Sequence, residues 1–169
     1  MNELQKKYFL VGFMGVGKTT IGKQLATGLE LTFVDIDHEI EIQEGMTIAQ
    51  IFDKCGEGGF RKIEAEYLRN RCDRPAIYST GGGLPCFNQN MAYMNQEGVT
   101  IKLDLPFEIL WSRISASEER PLVKQGKEKV LELLKSREQI YDQAQLIVNV
   151  KQWNASLKTK VLGMLKRLD

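Results

Sequence analysis

The chain has 169 residues, 43% hydrophobic and 27% charged, with a formal net charge of +1 at pH 7. That length suits one domain with a proper core and is short for two, and so small a net charge argues against a nucleic-acid binder that relies on a strong basic field. No apolar run approaches the roughly 20 residues of a membrane span and no signal-peptide core opens the chain, so a cytoplasmic location is expected. Cys55, Cys72 and Cys86 are odd in number, form no CxxC and share the chain with one histidine, so free thiols are expected rather than a zinc site or disulfide framework.

Residues 8–11 form a short apolar run that reads as a buried strand, and 20–26 have helical spacing. Between them stands Gly12-Phe13-Met14-Gly15-Val16-Gly17-Lys18-Thr19, the Walker A pattern in its required strand–loop–helix context. Glycines let successive backbone N–H groups turn inward, and the helix N-terminus adds partial positive charge, so the loop is built to hold phosphate. Lys18 would reach the β- and γ-phosphates and the Thr19 hydroxyl would ligate Mg²⁺.

A second strand at 32–35 ends in Asp35, with Asp37 two residues on. In an extended chain the two carboxylates point to the same side. Asp35 suits the second shell of a Mg²⁺·nucleotide, and Asp37 suits an alcohol acceptor that must be oriented and deprotonated. Asp37 could equally be the N-cap of the helix that follows. His38 reads as an ordinary residue in that helix's first turn. Residues 36–72 are helical but longer than one crossover needs; they restart at Thr47, a good N-cap, and contain Gly56-Glu57-Gly58-Gly59, which reads as a loop. Just beyond, Arg61 and Glu64 are one helical turn apart. They are either a surface ion pair or a glutamate fixing a guanidinium that offers a planar fork to a carboxylate.

The third strand, 76–80, runs into Gly81-Gly82-Gly83. Three consecutive glycines are costly in chain entropy, and a close approach of backbone to ligand would explain them. A fourth strand is expected at 99–103 and a fifth at 146–150. Between them, 112–125 is polar and charged with Pro121, like a mobile cover over a site. Strands alternating with helices predict an α/β domain, a doubly wound parallel sheet of five strands in three layers, with the site at the carboxyl ends of the strands.

Taken together, FVDID at 33–37, IFxxxGExxFRxxE at 51–64, the glycine triplet, Arg120-Pro121-Leu122, and Arg137 followed by Tyr141 closely resemble shikimate kinase. The resemblance runs from Phe9 to about Asn154. It implies a P-loop NTPase fold over residues 1–169 as one kinase domain, with 36–72 as the substrate-binding helical region and 112–125 as the lid. The implied activity is transfer of the γ-phosphoryl group of ATP to the 3-hydroxyl of shikimate, in aromatic amino-acid synthesis. Carried over residue by residue, Gly15, Val16, Gly17, Lys18, Thr19 and Thr20 hold the ATP phosphates, with Thr19 on Mg²⁺ and Asp35 nearby through water. Asp37 binds the shikimate hydroxyls and acts as base, and Arg61, oriented by Glu64, clamps the carboxylate with Arg137. Gly81, Gly82 and Gly83 approach the ring, Phe52 and Phe60 line the pocket, Arg120 reaches the phosphates from the lid, and Arg113 lies near the adenine. The implied partners are shikimate and ATP with Mg²⁺, without nucleic acid or membrane, for a monomer.

The chain departs from the family pattern at Arg137-Glu138-Gln139-Ile140-Tyr141, where many relatives have Arg-x-Pro-x-Tyr, and at Lys151-Gln152-Trp153, where relatives often carry arginine; no adenine contact is assigned to 151–154. Two rival readings are a gluconate kinase, which shares the small P-loop architecture and a polyhydroxy acid substrate, and a nucleotide-dependent switch. The GExxFRxxE segment and the glycine triplet favour shikimate over gluconate. Against a switch, Asn149-Val150-Lys151-Gln152 does not match the Asn-Lys-x-Asp base reader of GTPases.

Overall fold

The structure, a computed structural model, describes residues 6–116 and 122–168. Its centre is a five-stranded sheet of β1 (Lys7–Val11), β2 (Thr32–Asp35), β3 (Ala76–Ser79), β4 (Val99–Asp104) and β5 (Leu146–Asn149), in the order β2-β3-β1-β4-β5. All neighbouring strands are parallel, with Leu10 opposite Ser79 on one side and Ile101 on the other. The five expected strands are all present.

Among the described residues, seven α-helices connect and flank the strands: α1 (Lys18–Leu29), α2 (Ile36–Glu44), α3 (Ile48–Arg71), α4 (Asn90–Glu97), α5 (Phe107–Ser115), α6 (Lys127–Tyr141) and α7 (Ala155–Lys166). Strand side chains alternate between faces, so β1 alone feeds two cores. Tyr8 and Leu10 pack with Leu25 of α1, Leu110 of α5, Val130 of α6 and Leu165 of α7. Phe9 and Val11 pack with Ile40 of α2, Ile51, Phe60 and Leu68 of α3, and Met94 of α4. These are the three expected layers.

The helical region after β2 departs from the expectation in two places. Asp35, rather than Asp37, caps α2: its Oδ1 accepts from His38 N at 3.4 Å, and Asp37 lies one residue into the helix. Residues 56–59 do not form a loop. Thr47 starts α3 with a full capping box, and the helix passes through Glu57, Gly58 and Gly59 with one break, at Gly56 (φ 68°, ψ 179°). Only glycine adopts that conformation cheaply, so a single residue provides the bend where a loop had been expected.

Candidate active site

The phosphate end of the site is built from backbone. Gly12, Gly15 and Gly17 all have positive φ (141°, 78° and 102°), a conformation that side chains disfavour. α1 begins at Lys18, immediately after Gly17, so its N-terminal amides face the loop. Lys18 Nζ donates to Gly12 O at 2.7 Å and Phe13 O at 3.0 Å, which folds its cation back across the loop. Thr19 Oγ1 donates to Asp35 Oδ2 at 3.1 Å. Gly15, Gly17, Lys18, Thr19, Thr20 and Asp35 line a cleft of about 300 Å³ that continues over Asp37, Thr80, Gly81 and Gly82. The side chain of Val16 is buried in the core, so that residue can offer a ligand only its main chain. Arg113 lies within α5, and its Nη1 donates to Gly15 O at 3.3 Å, which puts it against the phosphate loop. The expected lid therefore begins too early: 112–115 are the end of α5. Arg120, with 117–121, lies outside the described residues.

The other end of the cleft is built from charge. A Cβ placed on Gly81 would lie 2.6 Å from Asp37 Oδ1, one on Gly82 3.6 Å from Arg137 Nη1, and one on Gly83 2.5 Å from both terminal nitrogens of Arg61. Gly81 and Gly83 thus make room for Asp37 and Arg61, while Gly82 stands at ordinary contact distance from Arg137. Asp37 reaches the cleft from the first turn of α2, so the extended-chain argument for the Asp35–Asp37 pair does not hold, although both carboxylates line the cleft.

Arg61 and Glu64 are not a surface pair. Arg61 is 9% and Glu64 1% exposed, and Arg61 Nη1 meets Glu64 Oε2 at 2.7 Å. The second fork nitrogen, Nη2, is 3.1 Å from Glu57 Oε1. Around the guanidinium stand the rings of Phe87, Phe60 and Phe52, with centroids 4.4, 5.4 and 6.0 Å from Cζ, an arrangement that favours a cation through the ring faces. Phe52 and Phe60 pack on each other at 4.7 Å.

Among the described residues, the buried side-chain atoms without a hydrogen-bond partner are Asp37 Oδ1, Arg61 Nε and Glu64 Oε1. Buried polar atoms are nearly always paired, and three orphans on neighbouring charged groups mark a place shaped for a polar ligand. Burial, with the Asp35 charge adding to it, pushes the Asp37 carboxyl up to about 6 against the pull of Lys18 and Arg61. Burial also pushes Glu64 upward, opposed by the Arg61 guanidinium. A carboxylate poised near neutrality beside a phosphate loop is a candidate general base.

The profile of the shikimate kinase family matches residues 14–166. The chain is 37% identical over 166 residues to the shikimate kinase of Aquifex aeolicus, covering 93% of this chain and 99% of that one. The chain belongs to the shikimate kinase family. It is thus an ATP-dependent kinase of the kind that phosphorylates a shikimate hydroxyl. The structure of the Acinetobacter baumannii shikimate kinase in complex with shikimate superposes with a TM-score of 0.88 at 37% identity, over 99% of this chain and 96% of that one. A gluconokinase from Sinorhizobium meliloti superposes at 0.64 with 15% identity, a likeness of fold alone.

Three neighbours of the site have no role assigned from the sequence. Glu57 stands four residues before Arg61, a helical pairing distance that could have been noticed. Phe87 follows a short 3₁₀ turn, and nothing in its local sequence announces a ring over Arg61. Tyr141 belonged to the family resemblance, but its bond to Gly82 O, at 2.5 Å, is a contact 59 residues away in sequence. At the far end of β5, Trp153 Nε1 donates to Gln24 Oε1 at 3.0 Å, which ties the 151–154 segment to α1.

Proposed function

We propose that the chain transfers the γ-phosphoryl group of ATP to the 3-hydroxyl of shikimate, giving shikimate 3-phosphate and ADP, as a cytoplasmic monomer of one domain. The observation that carries this reading is the glycine triplet, over which Asp37, Arg137 and Arg61 converge next to a Walker loop. Shikimate is a small anion bearing hydroxyls, and it asks for arginine forks at its carboxylate and an acceptor at its hydroxyls.

In this reading Arg61, held by Glu64 on one side and backed by Phe52 and Phe60, clamps the carboxylate together with Arg137. Asp37 accepts a hydrogen bond from the 3-hydroxyl and takes its proton as the oxygen attacks the γ-phosphorus and the bridging oxygen leaves with ADP. Phosphoryl transfer needs mainly positioning and charge stabilisation. The amides of 15–20 and the Lys18 ammonium supply these on the nucleotide side, where Arg113 flanks the loop toward the adenine. Arg120 is the cation assigned to the phosphates from the lid.

Among the described residues no cluster of three or more acidic, histidine or cysteine side chains could hold a metal by itself. That is consistent with Mg²⁺, which keeps several waters and needs only one or two protein oxygens besides the phosphates. Thr19 Oγ1 and the Asp35 carboxylate, 3.1 Å apart, supply oxygens of that kind. Bound there, Mg²⁺ would neutralise charge on the β- and γ-phosphate oxygens.

A coupled ADP-release assay with shikimate, gluconate and water as acceptors tests the reading. Mg²⁺-dependent release with shikimate alone is expected. Turnover with gluconate and none with shikimate would overturn it, and release independent of any acceptor would favour a nucleotide switch.

A further inference from the structure

Two carboxylates meet the Arg61 guanidinium, and they differ in depth. The Glu64 side chain is 1% exposed and its Oε2 lies 2.7 Å from Nη1. The Glu57 side chain is 58% exposed and its Oε1 lies 3.1 Å from Nη2. Glu57 directly follows the break in α3 at Gly56, on the outside of the bend. Pulling Glu64 away would strand a buried charge, whereas Glu57 can turn into water by rotating its own side chain.

A guanidinium presents parallel N–H pairs along two edges, Nη1 with Nη2 and Nε with Nη2, so every two-point grip on a carboxylate uses Nη2. On Arg61, Nη1 is taken by Glu64 and Nε is buried without a partner, which leaves the Nε–Nη2 edge for an acceptor with two oxygens. The group already on Nη2 is Glu57. A second carboxylate arriving there meets like charge at close range, and the two repel.

We propose that Glu57 is an internal competitor for the substrate's carboxylate: it covers Arg61 Nη2 in the ligand-free enzyme and swings out when the incoming acid takes the Nε–Nη2 edge. The proposal rests on the reading of Arg61 as the carboxylate clamp. The exchange replaces one charge-assisted hydrogen bond by two and gives the orphaned Nε a partner, while Glu64 holds the guanidinium in place throughout. A competitor and a support have opposite signatures. Removing a competitor tightens binding of the acid; removing a support weakens it.

The experiment is calorimetric titration of shikimate, without nucleotide, into wild type, Glu57→Gln, Glu57→Ala, Asp53→Asn and Arg61→Ala. Because Glu57 is exposed, neither replacement there threatens the fold. Kd for shikimate is expected to fall about twofold in Glu57→Gln, whose amide oxygen still accepts a weaker bond, and about two- to fivefold in Glu57→Ala, the range of exposed ion pairs. Asp53→Asn removes the same charge from an exposed position that forms no ion pair with Arg61, and should leave Kd unchanged. Equal tightening in Asp53→Asn would reduce the effect to general repulsion of an anion and overturn the proposal. Unchanged or raised Kd in the Glu57 variants would overturn it as well and make Glu57 a bystander or a support. Arg61→Ala separates this failure from that of the clamp reading: normal Kd there would overturn the reading and the proposal together, whereas weakened binding there, with no tightening in the Glu57 variants, would overturn the proposal alone.

Discussion

The two ends of the cleft are made of different materials. At the phosphate end the recognition groups are main-chain amides, presented by glycines at positive φ and by the start of α1, and the side chain of Val16 faces inward to the core. At the acid end they are buried or half-buried charged side chains packed on their neighbours: Arg61 on Glu57, Glu64 and three rings, and Asp37 against Gly81. Backbone recognition is fixed once the loop folds, whereas the charged cluster leaves Asp37 Oδ1, Arg61 Nε and Glu64 Oε1 unpaired until something binds. Apart from Lys18 and Thr19, the first end should tolerate changes of side chain and fail on changes of backbone. The second should behave the opposite way.

The largest expected effect is at Asp37. Asp37→Asn keeps the shape and removes the proton acceptor, so kcat should fall about 10²–10⁴-fold while ATP affinity, read by nucleotide titration, stays normal. Lost ATP affinity would move Asp37 to the metal site and blur the division. Because Asp37 sits at about 6, kcat/KM of the wild type should drop about tenfold per pH unit on the acid side of pH 6.

Next comes Arg61→Lys, which preserves charge but cannot present two parallel donors to one carboxylate. A loss of about 2–4 kcal/mol in kcat/KM for shikimate is expected, from steady-state rates at saturating ATP. Near-wild-type kinetics would mean that charge alone suffices there.

A pair of glycine variants then sets the two ends against each other. Gly12→Ala places a Cβ 2.7 Å from the Leu103 carbonyl oxygen at φ 141°, so it should lower the melting temperature and weaken ATP binding together. Gly83→Ala meets first the Arg61 guanidinium, at 2.5 Å. It should fold normally and lose about 1–3 kcal/mol in kcat/KM for shikimate. Equal melting temperatures for the two variants would erase the proposed difference.

The smallest effect is one of stability. The carboxyl of Asp37 rises from 3.8 to about 6 on folding, so its ionised form opposes folding above pH 6 and the penalty vanishes as pH falls below 3.8. Asp37→Asn should therefore stabilise the ligand-free protein by about 1–3 kcal/mol at pH 8, with the gain fading toward pH 4 in urea melts at each pH. No gain at pH 8 would show that the carboxylate is better solvated than its burial implies.

The same division governs what the sequence disclosed. The Walker loop was legible because backbone anion capture needs specific residues at consecutive positions, and the parallel sheet of five strands followed from their alternation with helices. Thr47 was legible as a cap because capping is local. The glycine triplet stood out, but the reason for it did not: the side chains it accommodates come from α2, α3 and α6, and only packing brings them together. Arg61–Glu64 looked the same whether exposed or buried, since an i,i+3 spacing carries no depth. Asp37 read equally as extended or as a cap because the helix begins at Ile36, two residues earlier than either reading requires.

Gly56 divides α3 into two pieces that meet through Phe52 and Phe60 and have different further anchors. The first begins where Ile48 N meets Glu41 Oε1 of α2 at 2.9 Å and carries Phe52. The second carries Phe60 and Arg61 and is bolted to the turn after the glycine triplet, with Asn88 Nδ2 on Arg61 O at 3.0 Å and Arg69 on Asn88 O at 2.8 Å. A Cβ at Gly56 would touch nothing within 4 Å, so neither piece is wedged against the other there. In mechanical terms the acid end is a two-link jaw with one pin. Any change in its gape can be absorbed by the torsions of a single residue, while the link bearing Arg61 and the glycine floor travel together without altering their mutual spacing.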